Sequence, residues 1–297
     1  MKNKVIFLLG PTGVGKSSLA VNLAKKYNME IISADSVQVY KEFDIGSAKI
    51  TTEEMGNIKH YGIDILNPNQ IFSAGEFVRY TKEKIEEISS KGKIPLIVGG
   101  TGLYVKALVE GYNFGDTSSH ADFRSQLEKE DVNSLFEKLK KIAPIEAEKI
   151  DKNNKVRLIR ALEIATFGSN KSKNNVEYDF LCLALVMDRQ ELYKNINKRA
   201  QIMVEQGLIE ETKTLFKKYG EVQPLGAIGY KETLAYIKGE IDKDKMLELI
   251  SQHTRNYAKR QLTFLRGLEY VKYFDKSQND YQLQIEKEIE EWIQTCN

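Results

Sequence analysis

Apolar positions follow two rhythms along the first hundred residues. Val5 to Leu9 is an unbroken apolar run that stops at Gly10-Pro11-Thr12-Gly13, the pattern of a short buried strand. From Ser17 the spacing becomes helical, with Leu19, Ala20, Leu23 and Ala24 at i, i+1, i+4 and i+5. Met29 to Ser33 predicts a second strand, ending at Ala34-Asp35-Ser36, and Ile63 to Leu66 a third. Ser73 to Ser90 is helical in period through Phe77, Tyr80, Lys84 and Ile88. Ile94 to Val98 is a further buried strand that runs into Gly99-Gly100-Thr101-Gly102 and another helix. Strands alternating with helices predict an α/β fold with a mostly parallel sheet covered on both faces.

The texture changes near Gly115. Residues 116–176 are Lys-rich and helical in period through Leu135, Leu139 and Ile142, with no strand pattern. Phe180 to Val186 reads as one more strand, and after Arg189 the pattern is helical throughout. The expected organisation is a core built from 1–115 and 177–297, interrupted by an all-helical insertion domain at 116–176. A length of 297 residues suits about two such units. Two cysteines, Cys182 and Cys296, cannot build a disulfide framework or a zinc cluster, which fits a reducing cytoplasm. No apolar run reaches the roughly 18 residues of a membrane span. The apolar run before Gly10 reads as a strand rather than a signal peptide.

Gly10-Pro11-Thr12-Gly13-Val14-Gly15-Lys16-Ser17 matches G-x-x-x-x-G-K-[ST] at every fixed position, after a predicted strand and before a predicted helix. In that context the backbone N–H groups and the helix N-terminus cradle a di- or triphosphate. Lys16 supplies a charge and Ser17 a ligand for Mg²⁺. An ATPase or GTPase also needs a carboxylate at the end of a core strand to hold the metal. The obvious strand, Ile94 to Val98, ends in glycines instead. The nearest carboxylate by topology is Asp35, at the carboxyl end of the second strand, where α/β sheets bind their ligands. An Asp there also serves commonly as a turn or cap residue.

Asp35 opens the segment Asp35-Ser36-Val37-Gln38-Val39-Tyr40-Lys41. After it come Asp44-Ile45-Gly46-Ser47-Ala48-Lys49, His60-Tyr61-Gly62-Ile63-Asp64 and Val98-Gly99-Gly100-Thr101-Gly102-Leu103-Tyr104. Arg157-Leu158-Ile159-Arg160-Ala161-Leu162-Glu163, Ala227-Ile228-Gly229-Tyr230-Lys231-Glu232 and Thr254-Arg255-Asn256-Tyr257-Ala258-Lys259-Arg260-Gln261 complete the series. In order and spacing this series closely resembles the bacterial tRNA dimethylallyltransferases, also called tRNA isopentenyltransferases, over residues 5 to about 266.

The resemblance implies a P-loop NTPase-like core and transfer of a dimethylallyl group from its diphosphate to N6 of the adenosine just 3′ of a tRNA anticodon. Diphosphate then occupies Gly10 to Ser17 as the leaving group, with Mg²⁺ on Ser17, and no hydrolysis carboxylate is needed. Charge grows on the departing diphosphate, which Lys16 and the metal would stabilise. The adenine amine needs a base, and Asp35 is the expected one. The target base must be flipped out of its stack, and the match sets Ser36, Val37, Gln38 and Thr101 against it. A Gln in such a place is by default a loop residue, and the Thr101 hydroxyl has helix capping as its alternative. The insertion resembles the family domain that clamps the anticodon stem-loop, with Arg124, Arg157 and Arg160 towards the RNA. Arg157 and Arg160 share a helix face, which in other settings is simply solvated. Arg255 and Lys259, with Arg260 and Arg266, form a basic stripe free of acids between Ser251 and Gly267, a surface suited to phosphates. Tyr257, Phe264 and Leu265 are assigned to the core. His60 has no partner at metal-ligand spacing and is expected to be structural or to touch RNA.

The chain departs from the family pattern in places. His60-Tyr61 replaces a pair of histidines, Val156 a glutamine, and Phe264 a tryptophan. Gly226 stands where some members carry an arginine for the diphosphate, so Lys231 or Arg255 would have to compensate. The formal charge of +2 conceals a distribution: residues 189–273 carry 16 basic and 11 acidic side chains, and residues 274–297 carry 2 and 6. Cations are concentrated where the family holds its tRNA. The expected partners are the tRNA anticodon stem-loop and dimethylallyl diphosphate, with a monomeric chain and no membrane. Two rivals stand beside this reading. A small-molecule kinase using ATP is opposed by the missing carboxylate and the long insertion. An RNA-binding protein with a vestigial P-loop is opposed by the intact Gly-Lys-Ser and Asp35.

Overall fold

A computed structural model describes residues 2–112, 121–168 and 178–295. The expected boundaries at 115/116 and 176/177 fall outside the described residues, as does Cys296. The chain forms two compact units: Met1–Val109 with Val176–Asn297, and Glu110–Asn175.

The first unit is built on one sheet of β1 (Asn3–Leu9), β2 (Met29–Ala34), β3 (His60–Tyr61), β4 (Ile94–Gly99), β5 (Tyr178–Val186) and β6 (Val271–Asp275). The strand order is β3-β2-β4-β1-β5-β6, and every neighbouring pair is parallel. Such a sheet needs helices on both faces. α1 (Lys16–Lys26), α3 (Ala74–Ser90) and α13 (Tyr281–Gln294) pack directly on its strands, and α2 (Thr52–Met55), α4 (Gly102–Val109), α9 (Arg189–Glu205), α10 (Leu208–Tyr219), α11 (Tyr230–Ile237) and α12 (Lys243–Arg266) complete the unit. Val5 to Leu9 are all fully buried, which explains their unbroken apolar run. Ile6 and Leu8 join Leu19, Leu23, Leu183, Ile285 and Ile289 in one cluster. Phe7 meets Phe180 edge-on at 6.3 Å. Burying each such side chain stabilises the fold by roughly 1.5–3 kcal/mol.

Two expectations need correction. Ile63 to Leu66 is not a strand. The third strand lies at His60–Tyr61, opposite Ile31 and Ile32, and Leu66 makes only an isolated bridge to Tyr40. The chain after Arg189 is not all helical either, because β6 adds an edge strand beside Cys182 to Val186. Its Lys272 and Tyr273 face outwards, so its apolar pattern is too sparse to announce a strand.

Register sets the site. Leu9 is level with Gly99, and Gly99 with Ala34. Three loops therefore leave the same sheet edge side by side: Gly10 to Gly15, the segment from Asp35, and Gly100–Thr101. A Cβ on Gly10 would sit 2.5 Å from the Leu185 carbonyl oxygen, so the turn there admits only glycine.

The second unit comprises α5 (Ala121–Glu128), α6 (Val132–Ile142), α7 (Pro144–Ala147) and α8 (Lys155–Phe167), with no strand among its described residues. Leu127, Leu135, Leu139, Leu158 and Leu162 form its own core. Asp131 caps α6 by accepting from Asn133 N and Ser134 N.

Candidate active site

The loop after β1 is tightly curled, with Gly13 and Gly15 at φ 84° and 94°. Such left-handed angles suit glycine and turn successive N–H groups towards one point. The adjoining cleft encloses about 380 Å³ and is lined by Thr12, Gly13, Gly15, Lys16, Ser17, Asp35, Gln38, His60, Gly100, Arg199, Tyr257 and Gln261, among others. A second hollow of about 320 Å³ shares Thr12, Asp35, Ser47, Arg199 and Tyr257 with it and adds Ser36, Val37 and Gly226 to Gly229. Asp35 thus faces both.

Lys16 folds back onto its own loop, donating from Nζ to the Pro11 carbonyl at 2.8 Å. Burial pulls its pKa down to about 7, the neighbouring Arg199 charge adds to this, and Asp35 opposes it. Arg199 donates from Nη2 to Thr12 Oγ1 at 3.1 Å. Its pKa is also lowered by burial and supported by Asp35. Two cations held against each other are an unfavourable arrangement that a bound dianion relieves.

Asp35 accepts from Val37 N at 2.8 Å and Gln38 N at 3.2 Å, both through Oδ1. The turn role and the cleft role therefore coexist: one oxygen fixes the carboxylate while the other remains for chemistry. Gln38 is less free than expected, since its Oε1 accepts from Ser33 and its Nε2 donates to the Ser47 and Ala48 carbonyls. Thr101 lies just past Gly100. Its carbonyl starts α4 by accepting from Tyr104 N and Val105 N. Its hydroxyl is turned to Tyr257, whose pKa is raised by burial and by Asp35 while Thr101, Arg260 and Gln261 work the other way. His60 lines the cleft while its Nδ1 lies 2.9 Å from the Ile58 carbonyl, and burial lowers its pKa.

Tyr257 does not belong to the core alone, because it lines both hollows. Leu265 is buried as expected, and Phe264 packs over Gly102, where a Cβ would collide with the ring at 2.1 Å. Neither Lys231 nor Arg255 lines the cleft. Arg199 and Gln261 do, and Gln261 Oε1 accepts from Thr12 N at 2.9 Å. The signal for Arg199 was in the sequence. It stands at helical spacing on the same stripe of α9 as buried Leu192, Ile196, Ala200 and Met203. A charge on an apolar stripe needs a reason.

Arg255 donates to Asn197 Oδ1 at 2.6 Å and lies over Tyr193 at 5.8 Å, whereas Lys259 is exposed. In the helical unit Arg124 and Arg160 both pair with buried Glu163, at 3.6 and 3.1 Å, and Arg157 is exposed. Pairing across α5 and α8 was not visible from spacing alone.

For a metal, no group of three or more His, Cys, Asp or Glu is arranged to hold one among the described residues. The Ser17 hydroxyl in the cleft still fits Mg²⁺, which usually takes one or two protein ligands and completes its shell with phosphate oxygens and water.

A family model described as IPP transferase matches residues 38–268. The tRNA dimethylallyltransferase of Ligilactobacillus salivarius (strain UCC118) is 44% identical over 307 residues, spanning 99% of this chain and 100% of that one. That of Anoxybacillus flavithermus (strain DSM 21510 / WK1) is 43% identical over 283 residues, spanning 93% and 91%. Among solved structures, the full-length tRNA isopentenylpyrophosphate transferase from Bacillus halodurans aligns with a TM-score of 0.75 at 40% identity, covering 97% and 96%. A eukaryotic dimethylallyltransferase acting on tRNA aligns with a TM-score of 0.79 at 29% identity, covering 96% and 77%.

Proposed function

The chain belongs to the IPP transferase family, and from that premise we infer that it moves a dimethylallyl group from dimethylallyl diphosphate to N6 of the adenosine 3′-adjacent to a tRNA anticodon. The observation that carries this reading is the sharing of one carboxylate, Asp35, between a phosphate cradle and a second hollow. The diphosphate takes the cradle of Gly10 to Ser17, beside Lys16 and Arg199. The adenine takes the second hollow, beside Ser36 and Val37, with Gln38 bracing Asp35 from the first cleft and Thr101 acting through Tyr257. Mg²⁺ on Ser17 would supply additional neutralisation of the diphosphate charge.

In the transfer, the bond between the dimethylallyl C1 and the diphosphate oxygen breaks and the bond from N6 to C1 forms. Asp35 accepts the proton that N6 loses. Lys16 and Arg199 stabilise the charge that the diphosphate gains. Arg199 does the work assigned in some relatives to the arginine replaced here by Gly226. The glycine end of β4 has no hydrolytic duty.

Because Lys16 sits near neutrality when the cleft is empty, an arriving anion favours its charged form. Above pH 7 the free enzyme is losing that proton, so binding takes it back up. Calorimetry of inorganic diphosphate at pH 8, in buffers of different ionisation enthalpy, is expected to show more proton uptake per site in the wild-type protein than in Lys16→Ala, since the ligand's own ionisation is common to both. Equal uptake in the two proteins would contradict the placing of Lys16.

We assign the anticodon stem-loop to Arg124, Arg157 and Arg160 in the helical unit and to Arg255 and Lys259 on α12. Five phosphate contacts give a slope of about −4 in log affinity against log salt. A slope flatter than about −1 would remove the phosphate contacts from the account. The chain acts as a monomer in the cytoplasm in this reading. Incubation with unmodified tRNA, Mg²⁺ and labelled dimethylallyl diphosphate is expected to put label into RNA. Turnover of ATP independent of tRNA would instead favour a kinase.

A further inference from the structure

The second hollow has a wall that comes from far along the chain. Gly46 and Ser47 line it together with Gly226 to Gly229, and a Cβ on Gly229 would lie 3.4 Å from the Gly46 carbonyl oxygen. Their segment has no regular secondary structure, so its backbone groups need other partners. Glu211, in the first turn of α10, supplies them. Its Oε2 accepts from Asp44 N at 3.3 Å and Ile45 N at 2.8 Å. Its Oε1 accepts from Gly46 N at 3.1 Å and from the Tyr230 hydroxyl at 2.6 Å. Three successive N–H groups aimed at one anion form a backbone nest. Here the chain fills the nest with its own carboxylate, and all four bonds use acceptor sites that only an ionised carboxylate offers together.

Tyr230 closes the grip from the other side. Its ring is fully buried and lies 4.9 Å from Phe43. A Cβ on Gly46 would be 2.4 Å from that ring, so the contact excludes every other residue. The held segment in turn holds the catalytic turn. The Ser47 and Ala48 carbonyls accept from Gln38 Nε2, and Gln38 N donates to Asp35 Oδ1. Hydrogen bonds joined by the 46–48 backbone and by Gln38 therefore link Glu211 to the carboxylate at the reaction centre. Glu211 itself lines neither hollow.

We propose that Glu211 is a positioning residue for prenyl transfer, acting with Tyr230 to fix the Asp44–Ser47 wall and, through Gln38, the aim of Asp35. The proposal rests on the transferase reading above. Glu211→Gln tests it, because the amide keeps the size but turns an NH₂ group towards backbone donors. Tyr230→Phe removes one of the four bonds and keeps the ring. Displacements of about 1 Å at a reacting group can cost up to about 10²-fold in rate. We expect Glu211→Gln to lose about 10- to 100-fold in kcat with a raised KM for tRNA. Its affinity for inorganic diphosphate stays within about twofold of wild type, since the cradle of Gly10 to Ser17 makes no bond to this wall. Tyr230→Phe moves kcat in the same direction by less.

Amide exchange at positions 44–46 is expected to accelerate in both variants. Wild-type kcat in Glu211→Gln, or diphosphate affinity falling in step with kcat, would overturn the proposal, the latter by showing general loosening. Should Glu211→Gln not fold, Tyr230→Phe carries the same test, and an unchanged kcat there overturns it. Absence of transfer by the wild-type protein would instead count against the transferase reading, while exchange at 44–46 still reports on the clamp.

Discussion

Asp35→Asn is expected to slow transfer by about 10³-fold while leaving tRNA and diphosphate binding nearly intact. The amine of adenine is a weak nucleophile because its lone pair is shared with the ring. It becomes competent only as a proton leaves, and Asp35 is the carboxylate common to both hollows. Asparagine keeps an oxygen for Val37 N and Gln38 N, so the turn that Oδ1 now anchors survives. The fold is therefore expected to persist, with loss confined to the proton transfer. Single-turnover rates on prebound tRNA separate these terms. Near wild-type turnover would remove Asp35 from the role of base.

Lys16→Ala is expected to cost about 10²–10³ in kcat, the magnitude typical of losing one preorganised stabiliser of developing charge. The leaving diphosphate must accept negative charge in a place already shaped for it. Lys16 and Arg199 converge there, at the expense of their own favourable solvation. The same variant has a second signature. Lys16 in the fold has a pKa of about 7, well below the 10.5 of an unperturbed lysine. The unfolded chain therefore binds more protons between those values, and stability contributed through this group rises with pH from about 7 towards 10. Lys16→Ala should remove that rise together with the lysine's share of the proton uptake on diphosphate binding. Thermal melts across this pH range check the first, and calorimetry the second. Wild-type kcat in this variant would refute the leaving-group role.

Much of the core was legible because its chemistry is periodic. Val5 to Leu9, Ile31, Ile32, Leu96 and Ile97 are buried in the centre of the sheet, and their apolar runs announce it, although Glu30 and Ser33 are buried beside them. β3 and β6 escaped because one has two residues and the other turns Lys272 and Tyr273 outwards. The cradle was legible as a local motif. Arg199, Gln261 and Glu211 were not, because their roles depend on α9, α12 and α10 meeting loops from the first fifty residues. Arg199 left a trace as a charge on a buried stripe, and Gln261 only as the last residue of a segment shared with the family. Tyr257 was misplaced because an aromatic at helical spacing looks the same whether it fills a core or lines a hollow beside it.

The most direct test combines mass analysis with diphosphate release. Unmodified tRNA is treated with the protein, Mg²⁺ and dimethylallyl diphosphate, then digested to nucleosides. The account predicts a dimethylallyl group on N6 of the adenosine 3′-adjacent to the anticodon, with one diphosphate released per group transferred. Unchanged nucleosides, or diphosphate released without RNA modification, would contradict it.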